Sequence, residues 1–378
     1  MAKRKRNESL PDHELAFKSR RNEGYATGRQ IGYLLGRCEA VRRQAQVVPE
    51  RKWNVKILYV TSGKGYPYSP LDEAIIHGLR VVAREVVVFE QSPETKSKLA
   101  AEALAHKPDL VLVLESLHLD LQSIYRIRQA GIPTAVWFAD DPYYTDMTDK
   151  IAPHFDYVFS LEMNCLDFYR QLGCKEVHYL PFAADTRKFR PIHLDLVLRK
   201  DFCFIGSAFW NRVKAFDELA PYLAGKKKYI CGLWWDRLKN YRLLERDIDL
   251  GRWLTPEETA RIYNASKVVL NMHRAHDDET YNFNSRKIPA SSPNPRMFEI
   301  AACGTLQLVD NRGDLGRFYK LGEEALSYSS LGELIEISEF YLKNESKRQE
   351  VAVRALRRTL TEHTYPKRLA QMMGVIFG

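Results

Sequence analysis

The stretch Ser292-Pro-Asn-Pro-Arg-Met-Phe-Glu-Ile-Ala-Ala-Cys-Gly304 decides the predicted fold, because it reads as a short helix with a marked start and end. Asn294 is a good N-cap residue, and Pro295 suits the first helical turn. Gly304 stands where glycine commonly follows a helix. The start of such a helix has free N–H groups and a partial positive charge, which together favour a phosphate.

Two charged residues of this helix extend the prediction to a ligand. Arg296 lies in the first turn. Glu299 lies one turn on, where its carboxylate could accept hydrogen bonds from two vicinal ribose hydroxyls. Charge-assisted hydrogen bonds contribute about 1.5–3 kcal/mol each. The alternative is that Asn294 only caps the helix, Arg296 lies at the surface and Glu299 is a solvated charge. The residue types alone leave both interpretations open.

Short apolar runs alternate with amphipathic helical runs around this stretch. One series extends from Val55–Thr61 to Val177–Pro181, and a second extends from Phe202–Ile205 to Thr305–Asp310. Strands joined by short crossovers predict parallel sheets with helices on both faces. We therefore predict an α/β protein with two Rossmann-like, doubly wound domains that face a cleft, and a ligand outside the carboxyl ends of the strands.

The predicted organisation has four parts. They are a basic N-terminal helical extension (1–50), a first Rossmann-like domain for an acceptor (51–186), a second for a donor (187–355), and C-terminal helices that end in the second domain or cross back to the first (356–378). In the extension, glycine recurs every four residues of a helix predicted from about Asp12 to Arg43, at Gly24, Gly28, Gly32 and Gly36. Glycine costs about 1 kcal/mol in a helix interior, so the stripe needs a reason. It either packs against the host domain or docks a partner or a second copy.

Composition narrows the class of protein. Of 378 residues, 57 are Lys or Arg and 48 are Asp or Glu, which gives a net charge of +9. The excess is a mildly basic surface or an affinity for anions such as nucleotide phosphates. Beyond this charge and the basic start Lys3–Arg6, nothing points to nucleic acid, so no specific nucleic-acid partner is expected. The six cysteines form no CxxC pair, and no signal peptide or membrane span is found, so we expect a cytoplasmic protein.

Several motifs together resemble a known family. Asn294-Pro-Arg-Met-Phe-Glu299, followed after Ile300 by Ala-Ala-Cys-Gly304, a strand and Asp310, resembles the CgeB/YkvP family of spore-maturation proteins, which are glycosyltransferase-like. Its Phe-Glu-x-x-Ala-x-Gly core also resembles the donor-site helix of retaining GT-B glycosyltransferases. Other motifs that resemble the family are Leu270–Arg274, Phe204–Ser207 and Trp137–Pro142. The resemblance begins at about residue 55 and leaves residues 1–50 outside.

This resemblance implies the GT-B fold and a glycosyltransferase (EC 2.4). Such an enzyme moves a sugar from a nucleotide-diphosphate sugar to a glycan, protein or small-molecule acceptor, and the nucleotide (UDP, dTDP or GDP) stays open. The implied donor-site positions are Gly206, Ser207, Arg212, His273, Asn294, Arg296 and Glu299. Glu299 would bind the ribose, and Arg296 and Asn294 would lie near the pyrophosphate or the sugar. Arg212 is a pyrophosphate candidate or an ordinary arginine at a helix start.

Catalysis is assigned to the opposite wall of the cleft. Asp140 and Asp141 follow a buried strand at the end that should face the cleft. One of them is the predicted base or acceptor-orienting group, and a positioned base contributes about 10²–10⁴-fold. The alternative is a turn or helix cap before Pro142. Gly63 and Gly65 form either a tight turn or a place where a substrate approaches the backbone.

Other expectations concern metals, stereochemistry and competing functions. GT-B enzymes generally stabilise the leaving diphosphate without a metal, so no metal or other cofactor is expected, and His276–Asp278 is interpreted as a polar loop. His118 and His154 are candidates for a first-domain histidine, but neither aligns, so the retaining or inverting outcome stays open. The alternative functions are a non-catalytic nucleotide-sugar or carbohydrate-binding protein of the spore coat and a sugar-nucleotide epimerase. The resemblance places the protein in the mother-cell cytoplasm or at the spore surface.

Overall fold

The computed structural model describes residues 12–115, 117 and 119–378. The basic start Lys3–Arg6 and His118 therefore lie outside the described residues. The helices are α1 (Asp12–Gln44), α2 (Ser69–Val82), α3 (Leu99–His106), α4 (Leu121–Gln129), α5 (Thr145–Thr148), α6 (Cys165–Gln171), α7 (Trp210–Ala224), α8 (Tyr241–Leu244), α9 (Pro256–Ala265), α10 (Pro295–Ala302), α11 (Leu331–Lys343), α12 (Glu345–Glu362) and α13 (Tyr365–Phe377). The strands are β1 (Trp53–Val60), β2 (Ala83–Phe89), β3 (Leu110–Leu114), β4 (Thr134–Phe138), β5 (Tyr157–Ser160), β6 (Glu176–Tyr179), β7 (Lys200–Ile205), β8 (Lys228–Gly232), β9 (Ile248–Leu250), β10 (Ser266–Asn271), β11 (Leu306–Asp310) and β12 (Leu326–Tyr328).

The first sheet has the strand order β2-β1-β3-β4-β5-β6, and its neighbouring strands pair in parallel. Every residue of β3 and β4 is buried, as expected for central parallel strands that helices cover on both faces. Successive side chains enter opposite cores: Ile57 and Trp137 pack on one face, and Leu58 and Phe138 pack on the other. The first half of the chain is therefore doubly wound, as predicted.

The second sheet has the order β12-β11-β10-β7-β8-β9 and is also parallel. The chain winds outward from β7 to β9, then returns beside β7 and winds the other way through β10 to β12. The strand order thus reverses between β7 and β10. In open parallel sheets, ligands bind at such a switch point, outside the carboxyl ends of the strands.

The C-terminal helices connect the two halves. Helix α12 lies against α10 and β11, and α13 lies against α2 of the first half. The crossing is fixed where the Ala184 N–H donates to the His363 carbonyl at 3.0 Å. Gly78 of α2 allows the close approach, because a Cβ there would stand 2.6 Å from a Leu369 methyl group and 3.2 Å from the Tyr365 backbone.

Helix α1 packs along only part of its length. Cys38 and Val41 form a buried cluster with Val353, Leu356 and Leu360 of α12. The striped glycines are not part of this packing, because a Cβ at Gly24, Gly28, Gly32 or Gly36 would meet no described atom within 4 Å. Packing of the stripe against the host domain is therefore wrong, and docking of a partner or second copy stays a prediction. No helix in the described part of the chain is both long and apolar enough to cross a membrane.

Two helix-interior glycines should respond to alanine with opposite signs. Gly78→Ala crowds Leu369 and Tyr365, and overpacking of about 1–3 kcal/mol should exceed the propensity gain of about 1 kcal/mol. Gly36→Ala meets open space and should stabilise by up to about 1 kcal/mol. Urea unfolding followed by circular dichroism measures both variants. A Gly78→Ala protein as stable as Gly36→Ala would contradict the close approach of α2 and α13.

Candidate functional site

A cleft of about 510 Å³ lies where the two sheets face each other. Its walls are the segments that follow strands: 139–144 and 161–162 from the first half, and 205–212, 231–234 and 252–254 from the second. The start of α10 completes the second-half wall. The volume falls in the range typical of small-molecule sites.

Asn294 caps α10 as the sequence predicts. Its side-chain oxygen accepts the Met297 N–H at 3.2 Å, and its amide nitrogen donates to the Asn271 side-chain oxygen at 2.9 Å. Asn271 stands at the end of β10, next to the switch point. The cap therefore ties the helix start to the edge of the second sheet and orients its free N–H groups toward the cleft.

His273 holds the same helix start from the other side. Its Nε2 accepts the Asn294 N–H at 3.0 Å, so Nδ1 carries the proton, and Nδ1 lies 2.6 Å from Asp310 Oδ1. Burial lowers the pKa of His273 below its ordinary value. Burial raises the pKa of Asp310, but His273 and Arg312 outweigh that effect and bring it below its ordinary value. Both ring nitrogens of His273 are thus hydrogen-bonded, and the side chain holds the start of α10 in position.

Two arginines meet at the switch point. Arg296 donates to the carbonyls of Ile205 at 2.7 Å and Met272 at 3.1 Å. Arg212 donates to the same Met272 carbonyl at 3.1 Å and to that of Ser207 at 2.8 Å. Within the described residues, neither guanidinium forms an ion pair with a carboxylate. Burial and the positive charge of Arg296 lower the pKa of Arg212 below its ordinary value.

Gly206 makes room for this pair. A Cβ at Gly206 would collide with Nη1 of Arg296 and would stand 3.2 Å from Nη1 of Arg212. The backbone of Gly206 also touches Gly232 so closely that Gly232 cannot carry a side chain either. Two neighbouring strands therefore end in glycine because the two guanidiniums and the two turns share one small volume.

Glu299 presents a free carboxylate to the cleft. The side chain is half-buried, lines the cleft, and has no hydrogen bond or ion pair to any described residue. Burial raises its pKa to about 7, although the nearby Arg296 opposes the shift. Glu299 therefore changes its charge near neutral pH and can accept hydrogen bonds from a ligand when ionised.

Asp140 and Asp141 have different surroundings. Asp141 is 1% exposed, and its oxygens accept the Ser160 hydroxyl at 2.6 Å and the Tyr169 hydroxyl at 2.7 Å. Asp140 is half-buried and accepts the Tyr68 hydroxyl. Burial raises the pKa of both carboxyls, that of Asp141 to about 7. Of the two, only Asp140 keeps a carboxylate oxygen without a hydrogen bond to a described residue, so it is the better placed for a substrate.

Glu115 lies behind Asp140 and was not singled out by the sequence analysis. It is fully buried after β3, and its Oε2 accepts the Ala139 N–H at 2.6 Å. Burial, and secondarily the Asp140 charge, raise its pKa to about 8. The available signal was its position directly after an all-apolar strand, which is the signal that identified Asp140.

Glu162 is a second residue that the sequence analysis missed. It follows β5, and its Oε2 accepts the N–H groups of Ser291 and Ser292 at 3.0 Å each. The segment that leads into α10 is thereby held on the first sheet. Arg274 reinforces this contact, because its carbonyl accepts the Tyr143 hydroxyl at 3.1 Å and its guanidinium lies over the Tyr143 ring.

The other sequence candidates lie elsewhere. Gly63 has φ +69° and a Cβ there would stand 3.0 Å from the Gln91 carbonyl, so a turn explains this glycine. Neither Gly63 nor Gly65 is among the described residues that line the cleft, and the same holds for His154 and 276–278. The cleft therefore brings together the predicted donor-site residues and Asp140–Asp141, but not the glycine loop.

Glu115 should make stability depend on pH. Its pKa is about 8 when folded and about 4.5 when unfolded, so its stabilising contribution is complete below pH 4.5 and is lost as the pH rises to 8. Glu115→Gln keeps an acceptor for Ala139 and removes the ionisation. We expect the variant to lose less free energy of unfolding between pH 5 and pH 8 than the wild type in urea titrations. The exposed Glu336→Gln should follow the wild type, and an unchanged pH profile in Glu115→Gln would refute the buried state of Glu115.

Comparison with known proteins agrees with this architecture. Residues 209–374 match the Glycosyl transferase-like family. The chain is 27% identical over 322 residues to the spore protein CgeB of Bacillus subtilis (strain 168). The match covers 85% of this chain and 98% of CgeB.

Solved structures show the same fold at low identity. The Anabaena HepE protein in complex with UDP-glucose has a TM-score of 0.57 at 13% identity, covering 85% of this chain and 100% of HepE. Sucrose-phosphate synthase from Thermosynechococcus elongatus has a TM-score of 0.56 at 11% identity, and the match covers 85% of this chain and 99% of the synthase. A putative UDP-N-acetylglucosamine 2-epimerase from Listeria monocytogenes has a TM-score of 0.51 at 11% identity, and the match covers 86% of this chain and 96% of the epimerase. The resemblance and fold predicted from the sequence are confirmed: the chain is a relative of the spore protein CgeB, with a glycosyl transferase-like region on a GT-B fold.

Proposed function

We propose that this chain transfers a sugar from a nucleotide-diphosphate sugar to an acceptor hydroxyl in the cleft. One observation carries the proposal: Arg212 and Arg296 are two guanidiniums without a carboxylate partner in the described chain, and the free carboxylate of Glu299 lies one turn further along α10. A buried cation without a carboxylate partner, as at Arg212, favours an anion, and a free carboxylate favours hydroxyl donors. A nucleoside diphosphate carries both groups in one molecule.

The donor would bind across the start of α10. The diphosphate would accept from the free N–H groups of the helix start and from the N–H donors that Arg212 and Arg296 still have unused, since each guanidinium has five. The ribose hydroxyls would donate to Glu299, and Asn294 and the Gly206–Ser207 turn would border the sugar. The structural neighbour HepE forms a complex with UDP-glucose, which supports a donor of this class.

Asp140 would act on the acceptor from the opposite wall. In the transfer, the bond between the anomeric carbon and the diphosphate oxygen breaks, and a bond to the acceptor oxygen forms. The acceptor proton passes to the free oxygen of Asp140, which Tyr68 orients through its hydroxyl. Asp141, bonded to Ser160 and Tyr169, would fix the strand end on which Asp140 stands.

The charge left on the diphosphate would face the arginine pair and the helix start. Preorganised donors of this kind stabilise a leaving group electrostatically. We therefore propose a metal-independent reaction that uses no other cofactor.

A non-catalytic function is the second candidate. The glycine stripe of α1, which is open to a partner, motivates a nucleotide-sugar or carbohydrate-binding protein of the spore coat on the same scaffold. The relative with 27% identity is a spore protein. The epimerase among the structural neighbours adds a third candidate, which product analysis after incubation with donor alone would separate. Action in the mother-cell cytoplasm or at the spore surface belongs to the same proposal.

Glu299 should control nucleotide affinity. Glu299→Ala should lower the affinity for the tightest-binding nucleotide among UDP, dTDP and GDP by about tenfold to a hundredfold, because it removes charge-assisted hydrogen bonds of about 1.5–3 kcal/mol. The wild-type affinity should also rise from pH 6 to pH 8 as Glu299 ionises with a pKa near 7, and Glu299→Gln should lose this rise. Isothermal titration calorimetry measures both effects, with Glu336→Ala as the control. Tight binding by Glu299→Ala would argue against the proposed donor site.

Asp140→Asn should separate binding from transfer. We expect turnover to fall by about 10²–10⁴-fold, because the variant lacks the proton acceptor, while the dissociation constant for the nucleotide stays within about twofold. Turnover is measured as diphosphate release with an acceptor panel. An Asp140→Asn enzyme with wild-type turnover would rule out the base, and donor binding without any hydrolysis or transfer in the wild type would favour the non-catalytic candidate.

A further inference from the structure

The two walls of the cleft carry opposite charges. The wall around α10 holds Arg212, Arg296 and Arg274, and none of the three forms an ion pair within the described residues. The wall of the first sheet presents Asp140, with the buried Glu115 behind it. An anionic donor fits the first wall, so the second wall is left for the acceptor.

The mouth on the acceptor side is also acidic. The Lys188 ammonium lies 2.5 Å from a carboxylate oxygen of Glu73 in α2 and 3.7 Å from one of Glu257 in α9. The two carboxylates therefore share one ammonium group. Two other cations lie nearby: the Lys64 ammonium lies 4.1 Å from the centre of the Tyr68 ring, and the Arg274 guanidinium lies 4.7 Å from the centre of the Tyr143 ring. An anionic acceptor would therefore meet carboxylates whose neighbouring cations are already engaged, and it would also face the donor diphosphate.

An open aromatic ring stands at this mouth. Tyr66 lines the cleft, is 46% exposed, and has neither a ring contact nor a side-chain hydrogen bond to any described residue. Burial raises the pKa of its hydroxyl, Lys188 lowers it, and Glu257 and Glu73 raise it further, so Tyr66 lies near the two carboxylates and the ammonium group that they share. The other first-sheet tyrosines of the cleft are covered: Lys64 lies on Tyr68, and Arg274 lies over Tyr143. The third, Tyr144, stacks on Phe283. Tyr66 is thus the first-sheet tyrosine whose face is left for a ligand.

We propose that the acceptor is an uncharged carbohydrate that stacks on Tyr66 and directs a hydroxyl to Asp140. This inference rests on the proposed function and names its acceptor. The C–H face of a sugar ring packs on an aromatic face, while sugar hydroxyls donate to carboxylates. A carboxylate or sulfate on the acceptor would instead meet Asp140, and like charges a few ångströms apart repel each other.

Matched hexasaccharides test the inference. The protein is saturated with its best nucleotide diphosphate and titrated with maltohexaose, chitohexaose and hexagalacturonate, the last of which has the same length and six carboxylates. We expect a neutral hexasaccharide to bind at least tenfold more tightly than hexagalacturonate at low salt. Saturation-transfer NMR and calorimetry measure the binding.

Three variants locate the site. Tyr66→Ala should weaken binding of the neutral hexasaccharide by about tenfold and leave the nucleotide affinity unchanged, because the Tyr66 side chain makes no hydrogen bond or ring contact with α10 and is 46% exposed. Tyr125→Ala, which removes an exposed tyrosine of α4, should change neither affinity. Asp140→Asn should narrow the gap between neutral and charged hexasaccharides, because it removes the repulsive charge.

The outcomes distinguish the two proposals. Two results would overturn the inference of an uncharged carbohydrate acceptor while nucleotide binding leaves the donor site intact. In one, hexagalacturonate binds as tightly as the neutral hexasaccharides or more tightly. In the other, no hexasaccharide binds. Binding of a serine-rich peptide at Tyr66 in place of the hexasaccharides would do the same. Failure of UDP, dTDP and GDP to bind would overturn the proposed function, and the acceptor inference with it.

Discussion

Two arginines share one carbonyl oxygen, and the cleft is built around that contact. Arg212 and Arg296 both donate to Met272, at the point where the strand order of the second sheet reverses. Gly206 has φ +152°, and a Cβ there would also crowd the Arg296 guanidinium, so both its backbone and its neighbours favour glycine. Arg212 is 4% exposed and Arg296 is half-buried, and two like charges held this close cost free energy, so the arrangement favours a ligand that neutralises them. The proposed affinity for anions thus follows from the packing of the two guanidiniums.

The first sheet positions this anion site through main-chain contacts. Glu162 accepts the N–H groups of Ser291 and Ser292, directly before the N-cap of α10. Asp146 adds a second contact, because it accepts the Ser285 N–H at 2.9 Å. Hydrogen bonds to charged groups contribute about 1.5–3 kcal/mol each, so these carboxylates hold the segment before α10 against the first half of the chain. The proposed transfer needs both substrates in a fixed geometry.

The features predicted from sequence were those set by local patterns. Apolar periodicity predicted two doubly wound sheets, and the Asn294-Pro295 pair predicted a capped helix start, because both depend on neighbouring residues. The role of Glu162 could not be predicted, since its partners lie 129 and 130 residues away. Asp140 and Asp141 could not be told apart either, because the distinction depends on Ser160 and Tyr169, which tertiary packing brings to one of them. The striped glycines of α1 follow a helical pattern but meet no neighbour, which the pattern alone does not reveal.

The arginine pair should recognise the diphosphate rather than the nucleoside, and the proposed donor site depends on this distinction. Calorimetric titration of wild type and Arg296→Met with UDP and with uridine tests it most directly, after thermal denaturation has shown that the variant folds. We predict that the variant loses at least tenfold in affinity for UDP and less than twofold for uridine, because only UDP carries phosphates. Equal losses for both ligands, or no loss for UDP, would contradict this role of the arginine pair.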